Sequence, residues 1–308
     1  MVTAPRLAVF QSLWAMEDLP ATGKPWTLPQ QIQLVAAAEF TGVAVDLGAR
    51  KAPAAGDLSP LATDAGLEVA VFAFVRDVDG LRVAIDYAHA VDARQMVVCA
   101  QIYGFDPGPL ADTVATWYEL CLREQIDMQL ETHRNTVTND IRFTELLIRH
   151  LDPRIELAGD LSHYVCANEM PDEPTAEYEQ LVTSILDRCG SLQGRIATRA
   201  QIQIPLGTPA GERWESRFRG WWEQGFRSIR ARSAPGRQIM FCTELGTRPY
   251  AITDPAGAEL SDRWSEALTL KRWAQEAFDA SASIRPHPQS VSPQSVPPVS
   301  PSPVLGSQ

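Results

Sequence analysis

Asp127-Met128-Gln129-Leu130-Glu131-Thr132-His133-Arg134 is the stretch from which the fold can be read. In an extended chain Met128, Leu130 and Thr132 fall on one side, and Asp127, Gln129, Glu131 and His133 on the other. A half-buried strand with its polar side in water alternates in the same way. The rest of the chain argues against water on that side. Strand-like stretches recur, each followed by a helix-like one, and several end in an acid or a histidine: Asp46, Asp160 with His163, and Glu244. In a closed parallel barrel such strand ends converge on one mouth, where active sites are found.

Outward from residues 127–131, strands are expected at 95–102, 67–75, 43–47 and 7–13 on one side, and at 155–161, 195–204 and 238–244 on the other. Residues 67–75 form a continuous apolar run of the kind covered on both faces. Helices are expected between them: 28–40, a short one near Leu61, 81–90, 110–124, one capped by Asn139 and running to His150, 174–188 with Gly190 closing it, 212–230, and 261–278. Trp214, Phe218, Trp221, Trp222 and Phe226 recur at helical spacing, which predicts core packing; a partly exposed face there would serve a homo-oligomer. Eight strands alternating with helices predict an α/β fold, a single-domain (β/α)8 TIM barrel spanning residues 1–280. An open doubly wound sheet that bound a nucleotide would carry a glycine-rich turn after its first strand, and Phe10-Gln11-Ser12-Leu13-Trp14 has no glycine. Residues 281–308 are rich in Pro and Ser and poor in large apolar side chains, so a disordered tail is expected there.

The chain of 308 residues is 45% hydrophobic and carries a net charge of −11, which weighs against nucleic acid as a partner. No apolar run is long enough to span a bilayer. Five scattered cysteines without a Cys-x-x-Cys pair point to reduced thiols and a cytoplasmic protein rather than a disulfide framework or a thiolate zinc site.

Glu131, Asp160 and Glu244 would supply three carboxylates from strands five, six and eight, a set suited to a divalent cation (Mn2+, Mg2+, Co2+ or Zn2+). Glu-x-His after strand five, Asp-x-x-His after strand six and a lone Glu after strand eight together resemble the xylose isomerase-like TIM barrels, the sugar phosphate isomerase/epimerase family, over roughly Arg6 to Phe278. The resemblance implies a metal held by Glu131, Asp160 and Glu244, with Glu131 and Glu244 doubling as catalytic acid/base groups. It implies substrate contacts from His163 and His133, while Trp14 is placed to wall the pocket and Arg199 to meet a substrate carboxylate or oxyanion. The family's strand-seven histidine has no match here; Gln201 or Thr198 stands where it is expected, with Gln201 the candidate fourth ligand. The implied activity is metal-dependent isomerisation or epimerisation of a small sugar-like hydroxy-carbonyl compound in carbohydrate metabolism. A lyase or dehydratase on the same site, and a barrel that has lost its ligands and serves as a binding or partner subunit, are the alternatives.

Overall fold

Val69-Ala70-Val71-Phe72-Ala73 leaves no polar side to face water, and it lies in a strand covered on both faces. The computed structural model describes residues 4–282. Eight parallel strands close in sequence order: β1 (Arg6–Ser12), β2 (Gly42–Asp46), β3 (Glu68–Val75), β4 (Gln95–Ala100), β5 (Asp127–Glu131), β6 (Glu156–Gly159), β7 (Cys189–Gly194) and β8 (Gln238–Thr243). Closure is made by β8 against β1, from Arg6 opposite Gln238 to Gln11 opposite Thr243. Around the barrel run α1 (Leu28–Ala37), α2 (Ala55–Ala65), α3 (Val78–Ala90), α4 (Pro107–Arg123), α5 (Ile141–Ile148), α6 (Leu161–Ala167), α7 (Ala176–Leu186), α8 (Glu212–Arg232) and α9 (Arg263–Ser281). The fold is the expected α/β TIM barrel. The tail expected at 281–308 lies outside the described residues, apart from Ser281 and Ala282; Ser281 is the last residue of α9.

The two strand faces build two cores. Ala8, Phe10, Ala44, Ala70, Phe72, Val97, Ala158, Met240 and Cys242 form a cluster on the inward parity of the strands. Val9, Val43, Val45, Val71, Leu130, Leu192 and Phe241 face outward and join the larger cluster under the helices. The aromatic stripe of α8 belongs to that outer core: Trp214, Phe218, Trp221, Trp222 and Phe226 are all buried. Trp222 meets Phe241 edge-on at 5.1 Å, and Phe226 meets Phe278 at 5.4 Å, both favourable ring geometries. With these rings packed inside the chain, the stripe offers no support for an oligomer contact.

Three local assignments are corrected. The α5 N-cap is Asp140, whose carboxylate accepts from Arg142 N (2.8 Å) and Phe143 N (3.0 Å); the Asn139 side-chain Oδ1 instead accepts from Asn135 N. Gly190 does not close the preceding helix but lies within β7. Strand seven is Cys189–Gly194, earlier than the expected 195–204. The alternation of Ile196, Ile202 and Ile204 imitates a strand, but these residues fold back on themselves. Thr198 N donates to Gln201 O, and Ile204 N to Ile196 O. The true strand contains two glycines because its neighbours crowd it: a Cβ at Gly194 would lie 2.6 Å from the Phe241 ring, and one at Gly190 would run into the Glu156 and Gln129 side chains.

Glu266 on α9 is buried, and its carboxylate accepts from Leu206 N (2.6 Å) and Ser261 Oγ (3.0 Å). Burial pushes its pKa up from 4.5 to about 7, more than these two bonds pull it down. The folded chain therefore holds a proton that the unfolded chain releases. The associated stability is full below pH 4.5 and is lost as pH rises through about 7. Glu266→Gln should melt higher than the parent at pH 8, by roughly 1–2 kcal/mol of unfolding free energy, with the difference fading toward pH 5. Denaturant titrations at the two pH values check this, and a pH-independent difference would contradict it.

Candidate active site at the barrel mouth

The inward parity of β5 to β8 carries a file of polar side chains to one end of the barrel. Glu131 is the last residue of β5, and Asp160, Arg195 and Glu244 are each the first residue after β6, β7 and β8. Carboxylate oxygens of Glu131, Asp160 and Glu244 all lie within 4.8 Å of one another, and so do ligand atoms of Glu131, His133 and His163. Glu131, Asp160, His163 and Arg195 are each no more than 3% exposed.

Asp160 has two jobs. As N-cap of α6, its Oδ1 accepts from Ser162 N (2.9 Å) and Ser162 Oγ (2.5 Å). The cap sets the first turn of α6 so that His163, three residues on, shares its face. The other oxygen, Oδ2, accepts from Arg195 Nη2 at 2.5 Å. The same guanidinium donates through Nε to Ser162 Oγ (2.9 Å) and lies 2.7 Å from His163 Nε2. Glu131 accepts from Cys99 Sγ at 2.8 Å. Its backbone carbonyl accepts from Thr138 Oγ1, which in turn accepts from His133 N, so the loop after β5 is fixed to the site.

Burial raises the Glu131 pKa well above the usual carboxylate range, with the charge of Glu244 adding to it. Glu244 is raised to about 7 by burial, against the pull of Arg195. Asp46, at the end of β2, rises to about 6 for the same reason. The histidines go the other way. His133 falls to about 4 through burial and the nearby Arg195, and His163 falls well below its usual value through burial, His133 and the two arginines beside it. Its approaches to Asp160 (3.4 Å) and Glu131 (4.0 Å) are therefore contacts of a neutral imidazole, not ion pairs.

A cavity of about 300 Å3 opens over this cluster, lined by Trp14, Phe74, Asp46, His133, Arg134, His163, Arg195, Glu244 and Tyr250, among others. Arg195 and His163 line it, whereas Glu131 and Asp160, which they touch, do not. Trp14 sits on a 3-10 turn after β1 and meets Tyr250 edge-on at 5.5 Å; the Arg134 guanidinium lies over the Tyr250 ring.

The structure thus brings Glu131, His133, Asp160, His163, Glu244 and Trp14 together. It does not bring Arg199 or Gln201 there. Arg199 is exposed, faces Glu169 at 3.4 Å and lines a larger, more open groove of about 760 Å3 with Thr198 and Trp214, where no comparable carboxylate cluster occurs among the described residues. Gln201 is exposed in the Thr198–Gln201 turn. Both displacements follow from the true position of β7. The residues that this strand brings inward, Gln193 and Arg195, were missed with it. Gln193 is 1% exposed, and neither its Oε1 nor its Nε2 has a partner; Glu244 Oε2 is likewise buried and unpartnered. Orphaned buried polar atoms are costly unless something else satisfies them. Glu131, Asp160 and Glu244 offer an all-oxygen donor set from β5, β6 and β8, which suits a hard divalent cation.

No family model matches the chain, and no curated protein matches it. Solved structures do. A D-allulose 3-epimerase from Methylomonas sp. in complex with D-allulose aligns with TM-score 0.57 and 15% identity over 91% of this chain and 98% of its own. A xylose isomerase-like TIM barrel protein from Mycobacterium smegmatis in complex with magnesium gives TM-score 0.55 and 13% identity over 90% and 100%. A probable 3-DHS dehydratase from Bacillus anthracis gives 0.55 and 11% over 86% and 99%. The chain shares the fold of the xylose isomerase-like TIM barrels, which includes sugar phosphate isomerases/epimerases. At these identities the likeness is one of fold.

If Gln193 supplies the strand-seven ligand, Gln193→His should tighten Mn2+ binding, because imidazole is the better ligand for this class of ion. Gln201→His should leave it unchanged. Calorimetric titration of both variants checks the pair; tightening by Gln201→His alone would return the ligand to the loop.

Proposed function

We propose that the chain is a divalent-metal-dependent isomerase or epimerase of a small sugar-like hydroxy-carbonyl compound in carbohydrate metabolism. The observation that carries this reading is the convergence of Glu131, Asp160 and Glu244 within 4.8 Å at the ends of β5, β6 and β8, below a cavity of about 300 Å3. The residues that would hold the metal are Glu131, Asp160 and Glu244, with the buried, unpartnered amide of Gln193 on β7 proposed as the fourth donor. When bound, such an ion supplies Lewis-acid stabilisation of the negative charge that develops on a carbonyl oxygen.

The chain's own residues do the rest. Glu131 and Glu244 come from β5 and β8, different walls of the barrel; Glu244 lines the cavity, and Glu131 lies behind its lining. One takes the proton from the carbon next to the carbonyl; return from the other inverts that centre. Raised pKa values suit both tasks, since a carboxyl titrating at about 7, as Glu244 does, is poised to give and take protons near neutrality. Neutral His133, engaged at Nδ1 alone, can hydrogen-bond a substrate hydroxyl through Nε2 without adding a further positive charge, while His163 meets substrate only where Arg195 or Arg134 gives way. Trp14, Phe74 and Tyr250 supply the apolar wall. The five cysteines are free thiols, which supports a cytoplasmic setting, and among the described residues no helix is long and apolar enough to cross a membrane.

A lyase is the second reading, favoured by the dehydratase among the structural neighbours. The same proton abstraction then expels a leaving group, and the product loses mass.

Incubation with a panel of ketoses in D2O, with and without Mn2+, tests the function by NMR. Deuterium entering at the carbon beside the carbonyl is the expected result, and an unsaturated product would select the lyase. Glu244→Gln should stay folded yet lose exchange by at least about a hundred-fold, the scale of general acid–base catalysis. Exchange at the parental rate in Glu244→Gln would remove the residue from the mechanism, and absence of exchange with every substrate would favour a binding or partner subunit.

A further inference from the structure

Arg195 lies inside the candidate metal site. Its Nη2 is 2.5 Å from Asp160 Oδ2, one of the oxygens that would bind the ion, and its Nε is held by Ser162 Oγ at 2.9 Å. It is 3% exposed, and the charges of Asp160, Glu244 and Glu131 all favour its guanidinium form. Asp160 Oδ1 is already taken by Ser162, so Oδ2 is the oxygen of that carboxylate free of its helix cap. The guanidinium is therefore bonded to the atom a cation needs most.

Two arginines approach the His163 ring. Arg195 Nη2 stands 2.7 Å from His163 Nε2, and Arg134 Nη1 stands 3.2 Å from His163 Nδ1. Arginine only donates, and a neutral imidazole accepts at one nitrogen alone, so one of the two contacts sets N–H against N–H. Arg195 is held at its other contacts by its bonds to Asp160 and Ser162. It also lines the cavity, so it has somewhere to go.

We propose that Arg195 is an internal cation that competes with a divalent ion for Asp160, so that loading the site requires the guanidinium to leave that carboxylate. This rests on the metal-dependent reading above. The physical cause is like-charge repulsion where water cannot screen it: a divalent ion on Asp160 Oδ2 would face a guanidinium in direct contact with the same oxygen. Arg195 thus sets metal affinity by exchange. It is a positioning residue for the carboxylates, and when released it turns into the cavity that it already lines.

Mn2+ titrations of the wild-type chain and of Arg195→Met, each confirmed folded by circular dichroism, test the exchange. Arg195→Met should bind Mn2+ at least about ten-fold more tightly, the scale on which a neighbouring charge shifts a buried ionic equilibrium. Its metal-free form should melt lower than the parent, because Asp160 is left without its partner. A second measurement does not depend on the variant folding. On the wild-type chain, adding Mg2+ should shift the protected arginine Nε–H resonance of Arg195 in a 15N spectrum. Equal or weaker Mn2+ affinity in Arg195→Met, or an Arg195 resonance unmoved at saturating Mg2+, would overturn the exchange and leave the metal-dependent reading standing. If neither chain binds Mn2+ or Mg2+, both fall together.

Discussion

Three carboxylates are held within 4.8 Å of one another at the end of a closed barrel, and almost no water reaches two of them. Mutual repulsion and desolvation both act against that arrangement, and the surrounding chemistry answers them. Arg195 neutralises Asp160 directly. Cys99 gives Glu131 a weak donor, and Glu244 approaches neutrality by holding its proton to about pH 7. The histidines stay uncharged because burial disfavours the imidazolium, and the nearby arginines add to that. Burial, together with the neighbouring charges, displaces Asp46, Glu131, His133, His163 and Glu244 from their ordinary titration.

Holding such groups in place needs a rigid frame, and barrel closure provides it. The strands end in fixed order around the mouth, and the short connections that follow are anchored at once. Asp160 caps α6 within two residues of leaving β6, and Thr138 clamps the loop after β5 through the Glu131 carbonyl. The outer core, dominated on one side by the α8 aromatics against Phe241 and Phe278, holds β8 and β7 to the same frame. The site therefore stands on strand ends and first helical turns, the stiffest places available for positioning side chains.

Much of this was legible from residue order. A closed parallel barrel requires alternating strand and helix periods, and each period is a local property of the chain, so the (β/α)8 architecture could be read without tertiary contacts. Glu131, His133, Asp160, His163, Glu244 and Trp14 were legible because each stands at or just beyond a strand end, and strand ends of one direction must meet. Strand seven was not. Cys189-Gly190-Ser191-Leu192-Gln193-Gly194 has poor strand propensity, and the isoleucines that follow it have good propensity. What makes the former a strand is its surroundings: both faces are buried, and at Gly190 and Gly194 neighbouring side chains exclude a Cβ.

That one displacement changed the composition of the site. It moved Gln201 and Arg199 out to the surface and brought Gln193 and Arg195 inward, replacing a sought neutral ligand on a loop with a buried amide and a buried cation. Sequence alone determined the fold and the acids, because those depend on period and on position along each strand. The tertiary structure alone decided the charge balance at the mouth. Which cation faces which carboxylate, and which polar atoms are left unpaired, depends on distances between chain segments that sequence spacing does not encode.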